Sequence, residues 1–297
     1  MKRCALYIAL ILINGLLYAQ TREKLDKGWL VACGDDQVIV IDPERGNDSS
    51  TIVWKWKVEE SVAELPAMYR RLLVPLDECK PIRDNTQLLL TSSGGATCVL
   101  DIATKKIIFY AQTPMAHSAE LLPFNLLAVA NSTHPKGNSV ELYDLSKSEK
   151  RVDSDSLYSG HGVVWHAGLE RLFVLGYQDL RTYRLSISSA DTVLVQEDVV
   201  TIPDEGGHDL SRVNSKQLLV TTHHGVFLYN IHQRAFLPFK PLHGMQHIKS
   251  VHYDPSSARI VFTKAEESWW THTIYQRTPN HSIHIPSIKL YKVRPVL

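Results

Sequence analysis

Cysteine is scarce, with four among 297 residues. Cys4 sits at the head of the N-terminal apolar run, and Cys33, Cys79 and Cys98 are odd in number, so no disulfide framework follows from them. Cys33 and Cys98 lie inside apolar stretches and read as small buried hydrophobes. Charge of one sign is lacking too: 32 Lys and Arg face 31 Asp and Glu. That balance leaves no electrostatic footprint for nucleic acid or for an acidic membrane surface. The chain has no Gly-x-Ser-x-Gly elbow, no phosphate-binding glycine loop and no dinucleotide fingerprint, and neither HExxH nor CxxC occurs. Several common enzyme classes are thereby excluded as simple readings, and any chemistry must be assembled from residues far apart in the chain.

Long apolar runs are also few. The N-terminal one follows Met1-Lys2-Arg3 and extends from Cys4 to Ala19, short of the roughly 20 residues that a spanning helix needs. A basic start, a short apolar core and a small residue at Ala19 predict a signal peptide spanning residues 1–19. The expectation is a secreted protein, periplasmic or extracellular, with no membrane span after cleavage and with residues 20–297 forming a single domain.

What the chain does contain is repetition. Residues 206–236 open with a polar turn and His208, run into an apolar stretch at Gln217–Thr221, pass His223-His224, and continue into a second apolar stretch at 225–231. Without gaps, His161–Leu172 lies over Lys249–Ile260, matching Trp165 to Tyr253 and Arg171 to Arg259, and Cys79–Leu90 lies over His117–Ala128. The units open at Cys79, His117, His161, His208 and Lys249, at intervals of 38, 44, 47 and 41 residues. A period near 40 made of short strands predicts an all-β fold, a β-propeller of six blades, with five or seven tolerated.

Along the chain, 29–33, 37–41 and 51–56 read as the outer part of a first blade. Its inner strand is expected either from 21–27 or from a C-terminal strand at 288–293 that closes the ring, the same stretch also serving as a candidate last strand of blade six. The stretch 59–74 breaks the repeat, and Pro66 argues against an unbroken helix there. Residues 146–156 are polar enough for an exposed outer hairpin.

In a propeller the innermost strands line the central channel, and the loops arriving from the preceding blade open on the same face as the links between second and third strands. Cys79, His117, His161, His208 and Lys249 should therefore converge near the axis. Around them the face loops would bring His134, Lys136, Gln178, His223, His224, Glu266, Trp269 and Trp270 as substrate-binding residues. Two readings stay open for the ring. Imidazoles with a thiolate suit a divalent metal ion, for which His117, His161, His208 and Cys79 are the candidate ligands, or an acid–base centre of His117, His161, His208 and Lys249. Alternatively, repeats simply carry the same residue, and polar channel walls bind ordered water. Trp269-Trp270 offers a flat apolar platform for a sugar face, and Lys136 with Lys249 would suit an acidic saccharide.

Asp77–Lys80, Ser92–Gly95, Ala116–Pro123, Ser132–Gly137, His161–Trp165, Gly206–Leu210 and Glu266–Thr271 together resemble a family of secreted bacterial propeller proteins of unknown function. That resemblance spans nearly the whole chain after the signal segment and implies that these motifs form a shared site. In architecture the chain is similar to oligogalacturonate lyases and other propeller polysaccharide lyases, whose histidine-rich channel mouths hold a metal or a base; this is an analogy of fold. The expected function is a carbohydrate-active lyase or hydrolase acting on an acidic oligosaccharide as a monomer, with a non-catalytic glycan- or protein-binding propeller as the alternative.

Overall fold

The computed structural model describes residues 23–297 except 62, 64, 189 and 190. The expected signal peptide lies outside them, as do the first two residues of the candidate inner strand at 21–27, whose described part, 23–27, forms no strand. The described chain forms six antiparallel sheets of four strands each, arranged as a six-bladed β-propeller. Among the described residues, helix is confined to one α-helical turn, Tyr69–Leu72, and short 3-10 turns.

Blades two to six each begin at their inner strand. These are Leu76–Ile82, Ala116–Leu122, Gly162–His166, Asp209–Arg212 and Ile248–Asp254 for blades two to six. Blade one is closed by the C-terminal strand Leu290–Pro295, which pairs antiparallel with Leu30–Gly34. Ring closure thus joins the two ends of the described chain by main-chain hydrogen bonds. The C-terminal strand belongs to blade one alone, and His281–His284 is the outer strand of blade six. The expected outer hairpin of blade three ends in the strand Arg151–Ser156.

Strand composition explains the arrangement. The second strands of the blades, such as Leu88-Leu89-Leu90 and Leu218-Leu219-Val220, carry continuous apolar runs because both faces of each blade are covered by its neighbours. Six apolar clusters fill the interfaces between blades. The inner strands contribute one equivalent residue to each: Cys79, Ala119, Val163, Leu210, Val251 and Val293, all essentially inaccessible to solvent.

The irregular stretch before blade two is an insertion that packs rather than a free loop. Leu65, Tyr69 and Leu73 join the cluster between blades one and two. Tyr69 packs edge-on against Tyr110 at 4.7 Å between centroids and donates its hydroxyl hydrogen bond to Glu149 of blade three.

Candidate functional site at the channel mouth

Register, read strand against strand, fixes which residues are equivalent. In blades two, three, six and one the inner strand is bulged at one place: between Leu76 and Glu78, Ala116 and Ser118, Ile248 and Ser250, and opposite Cys33/Gly34. The bulged residues are Asp77, His117, Lys249 and Tyr291. A bulge re-aims one side chain while the ladder continues on either side. In blades four and five, His161 and His208 take the same position, each donating its backbone N–H to the second strand, at Leu175 O (2.9 Å) and Thr221 O (2.8 Å). One ring of six therefore stands at this level: Asp77, His117, His161, His208, Lys249 and Tyr291.

Cys79 is not in that ring, which corrects its place among the openers. The thiol lies in the core between blades one and two, 3.5 Å from Val31 O and 3.8 Å from Lys292 O. The ungapped alignment of Cys79 with His117 was two residues out of register. Asp77 is the true counterpart of His117.

A cavity of about 330 Å³ opens over the ring. Its walls come from the loops that lead into the inner strands and from the links between second and third strands, including Ser93, Ser132, Tyr177, His223, Trp269 and Trp270. Ring centroids of His117 and His161 are 4.3 Å apart, those of His161 and His208 5.6 Å, and those of His208 and His223 4.9 Å. The three histidines expected at the axis are thus brought together with Lys249, and His223 joins them from a face loop.

Trp269 lies over the Lys249 ammonium, 4.5 Å from its ring centre, and Trp270 packs on Tyr291 at 5.4 Å. The remaining expected binding residues stand away from the cavity lining. His134 is an exposed loop residue whose Nδ1 accepts from Lys136 N, and Lys136 is exposed. Gln178 is exposed, and His224 is held outside by Asp204, Nδ1 to Oδ1 at 3.0 Å. Glu266 accepts hydrogen bonds from the Thr271 and Tyr275 hydroxyls and acts as a strut for the tryptophan loop.

The imidazoles are held in defined states. His117 Nδ1 donates to Met115 O at 3.0 Å and His161 Nδ1 to Ser159 O at 2.9 Å, which leaves each Nε2 with its lone pair. Burial, against the Met115 hydrogen bond, pushes the His117 pKa down to about 4. Burial first, then the neighbouring His117, lowers that of His161, and burial with Lys249 lowers that of His208. His208 Nε2 is 2.9 Å from Lys249 Nζ, while His208 Nδ1 is buried without a hydrogen-bond partner among the described residues. Lys249 is only 1% exposed. Burial and then the charge of Lys292 bring its pKa down to about 7. Burial raises the Asp77 carboxyl to about 7, although it accepts a hydrogen bond from Ser93 N.

Directly beneath lies a buried ion cluster. Arg294 forks to Glu78, with Nε and Nη2 each at 2.7 Å, and to Asp209, with Nη1 at 2.8 Å and Nη2 at 2.6 Å. Lys292 Nζ sits 3.3 Å from Asp209 and 3.6 Å from Glu78, and donates to His117 O at 3.0 Å. Two cations and two carboxylates compensate one another, so the ion cluster fills the channel with charge that is satisfied.

Among the described residues no group of three or more His, Cys, Asp or Glu side chains is disposed to hold a metal ion. Of the expected ligand set, Cys79 lies in the core and His208 Nε2 is engaged by Lys249.

Residues 19–297 match the sequence profile of a family described as "Family of unknown function (DUF6528)". The chain belongs to that family. No curated protein matches it. Among solved structures this family member is similar to a protein of unknown function from Bacteroides caccae, at 9% identity and a TM-score of 0.61, covering 91% of this chain and 99% of that one. It is also similar to a chain in the crystal structure of the mitotic checkpoint complex, at 10% identity and a TM-score of 0.51, covering 67% of this chain. It spans only 57% of that chain's length. At such identities these likenesses concern the fold alone.

Sequence reasoning named neither Tyr177 nor Tyr291, and gave Asp77 no role beyond its place in a motif that the resemblance implied for the shared site. The run Asp77-Glu78-Cys79 carried a signal, because a carboxylate pair at the head of an inner strand is costly to bury unless it is used. Tyr291 was hidden because the strand at 288–293 had two candidate blades, and only one of them brings it to the ring.

Proposed function

We propose that the channel mouth binds an acidic carbohydrate and promotes lyase-type elimination from it. The observation that carries this reading is Lys249, a buried lysine with no carboxylate partner among the described residues, hydrogen-bonded to His208 and lying beneath the face of Trp269, both of which line the cavity. A buried cation without a counter-charge attracts an anionic ligand. The cavity volume falls at the small end of the range for small-molecule sites, roughly 300–1,000 Å³. Tyr177, Trp269, Trp270 and Tyr291 supply flat apolar walls suited to a sugar face.

Elimination is favoured over hydrolysis by the inventory of acids. A glycosidase ordinarily sets two carboxyl groups across the bond it cleaves, and Asp77 is the one carboxylate lining this cavity among the described residues. In elimination a base takes the proton next to the substrate carboxylate, a carbon–carbon double bond forms, the bond to the glycosidic oxygen breaks, and that oxygen is protonated. His117 and His161 present Nε2 lone pairs fixed by their Nδ1 hydrogen bonds, and either can act as the base. Bringing a carboxylate beside them raises their pKa toward the working range. Lys249 stabilises the enolate-like charge that develops.

Incubation with uronic-acid oligosaccharides, followed by the ultraviolet absorbance of the unsaturated product, tests the reading. Turnover is expected, and kcat/KM falls by about 100-fold or more in His161→Ala and in Lys249→Met. Binding to a glycan array with no absorbance change would leave the site as a lectin-like one, and neither binding nor turnover removes the proposal.

A further inference from the structure

A second and larger cavity, of about 530 Å³, lies at the opposite end of the channel, beyond the ion cluster. The inner strands line it one position past the buried set Cys79, Ala119, Val163, Leu210, Val251 and Val293, at Lys80, Glu120, Val164, Ser211, His252 and Arg294, one from each blade. The proposed function makes no use of it.

The charges in its wall do not all cancel. Lys80 Nζ is committed to Glu120 at 2.7 Å and to Val163 O at 2.7 Å. Arg294 is shared by Glu78 and Asp209. Asp254 is turned to Ser256 and Ser257, accepting hydrogen bonds from both hydroxyls. Against the single charge that Asp254 keeps, two guanidinium groups in the wall remain without an ion-pair partner among the described residues. Arg212 is exposed and has no ion-pair partner among the described residues. Arg259 donates Nε and Nη2 to the neutral Oε1 of Gln276, at 3.0 and 2.7 Å, and meets no carboxylate within ion-pair distance among the described residues. His252 adds no charge at neutral pH, because burial and the nearby Arg294 hold its pKa down to about 4.

Register also sets the shape of this wall. Trp165 pairs with Leu172, Arg212 with Leu218 and Tyr253 with Ile260, which makes the three equivalent positions in blades four, five and six. A guanidinium thus stands between two aromatic side chains on successive blades, all three lining the cavity. Tyr253 is braced from behind by Phe239, with centroids 5.2 Å apart. An arginine fork recognises carboxylate or phosphate oxygens, and flanking rings cover an apolar plane.

We propose that this cavity is a second ligand site, for a small molecule that joins a flat ring to an anionic group, with Arg212 and Arg259 taking the anion and Trp165 and Tyr253 the ring. Carboxylate and phosphate share the chemistry, and the probes separate them.

Titration calorimetry with benzoate and phenyl phosphate, each against the uncharged benzamide, is run alongside the indole resonance of Trp165, assigned through Trp165→Phe. Either acid is expected to bind and shift that resonance, with benzamide at least about tenfold weaker, and the stronger acid names the anion. Arg212→Gln and Arg259→Gln each weaken acid binding about fivefold or more, Arg259→Lys recovers part of it, and His161→Ala at the other end of the channel leaves it unchanged. Arg212 is exposed, so its variant remains informative if Arg259→Gln fails to fold. Benzamide binding as tightly as the acids, an unmoved Trp165 resonance, or acid binding lost in His161→Ala instead would each overturn the proposal.

Discussion

Lys249 concentrates the electrostatic tension of the site in one residue. Its ammonium has given up water for a hydrogen bond to a neutral imidazole and the face of Trp269, and burial brings its pKa from 10.5 down to about 7. The folded protein therefore holds fewer protons than the unfolded chain between those two values, and the lysine's contribution to stability rises with pH across that window. That contribution is complete above about pH 10.5 and is lost as pH falls through about 7. Lys249→Met removes the dependence. The gap in unfolding free energy between Lys249→Met and wild type is expected to shrink by roughly 1–3 kcal/mol from about pH 7 to about pH 9, as measured by urea denaturation. A gap that stays constant with pH would mean that Lys249 is solvated.

At the scale of the strand, the closing element joins stability to the site. Leu290–Pro295 supplies Tyr291 to the ring and Lys292 and Arg294 to the ion cluster, so the site exists only once the two ends of the described chain are paired. Its docking depends on Gly34, where a Cβ would fall 1.8 Å from the Lys289 carbonyl oxygen. Gly34→Ala should therefore cost about 2 kcal/mol or more and reduce site function along with stability, visible as a lowered Tm and weaker ligand binding together. The same element shows what was legible in the sequence. Apolar strands and turns repeating near 40 residues revealed the blades, and the recurrence of histidine at one frame revealed the ring. Register at a bulge has no compositional signature, so Cys79 was read where Asp77 stands. His134, Lys136, Gln178, His224 and Glu266 belong to the correct loops, but their side chains are spent on local hydrogen bonds or turned to solvent, which loop membership cannot foretell.

Across the whole molecule, the channel is a column of groups kept in protonation states that water would not give them. His117, His161, His208 and His252 are all held below the usual imidazole value of 6.5, chiefly by burial. As pH falls from about 6.5 toward 4 the unfolded chain protonates these four imidazoles while the native state resists, so stability is lost with acid. Asp77 opposes them: its folded value of about 7 lies above its ordinary 3.8, so it contributes stability below about 3.8 that is lost as pH rises through about 7. Four groups outweigh one. Near pH 5 the unfolded state is expected to bind about two to three more protons than the native state, giving a positive slope of roughly 3–4 kcal/mol per pH unit. Urea unfolding at several pH values between about 4 and 7 reads that slope directly, and His252→Gln should lower it by about one proton without touching the mouth. A flat or negative slope would show the imidazoles to be hydrated, and with that the physical basis for neutral bases at the channel mouth would go as well.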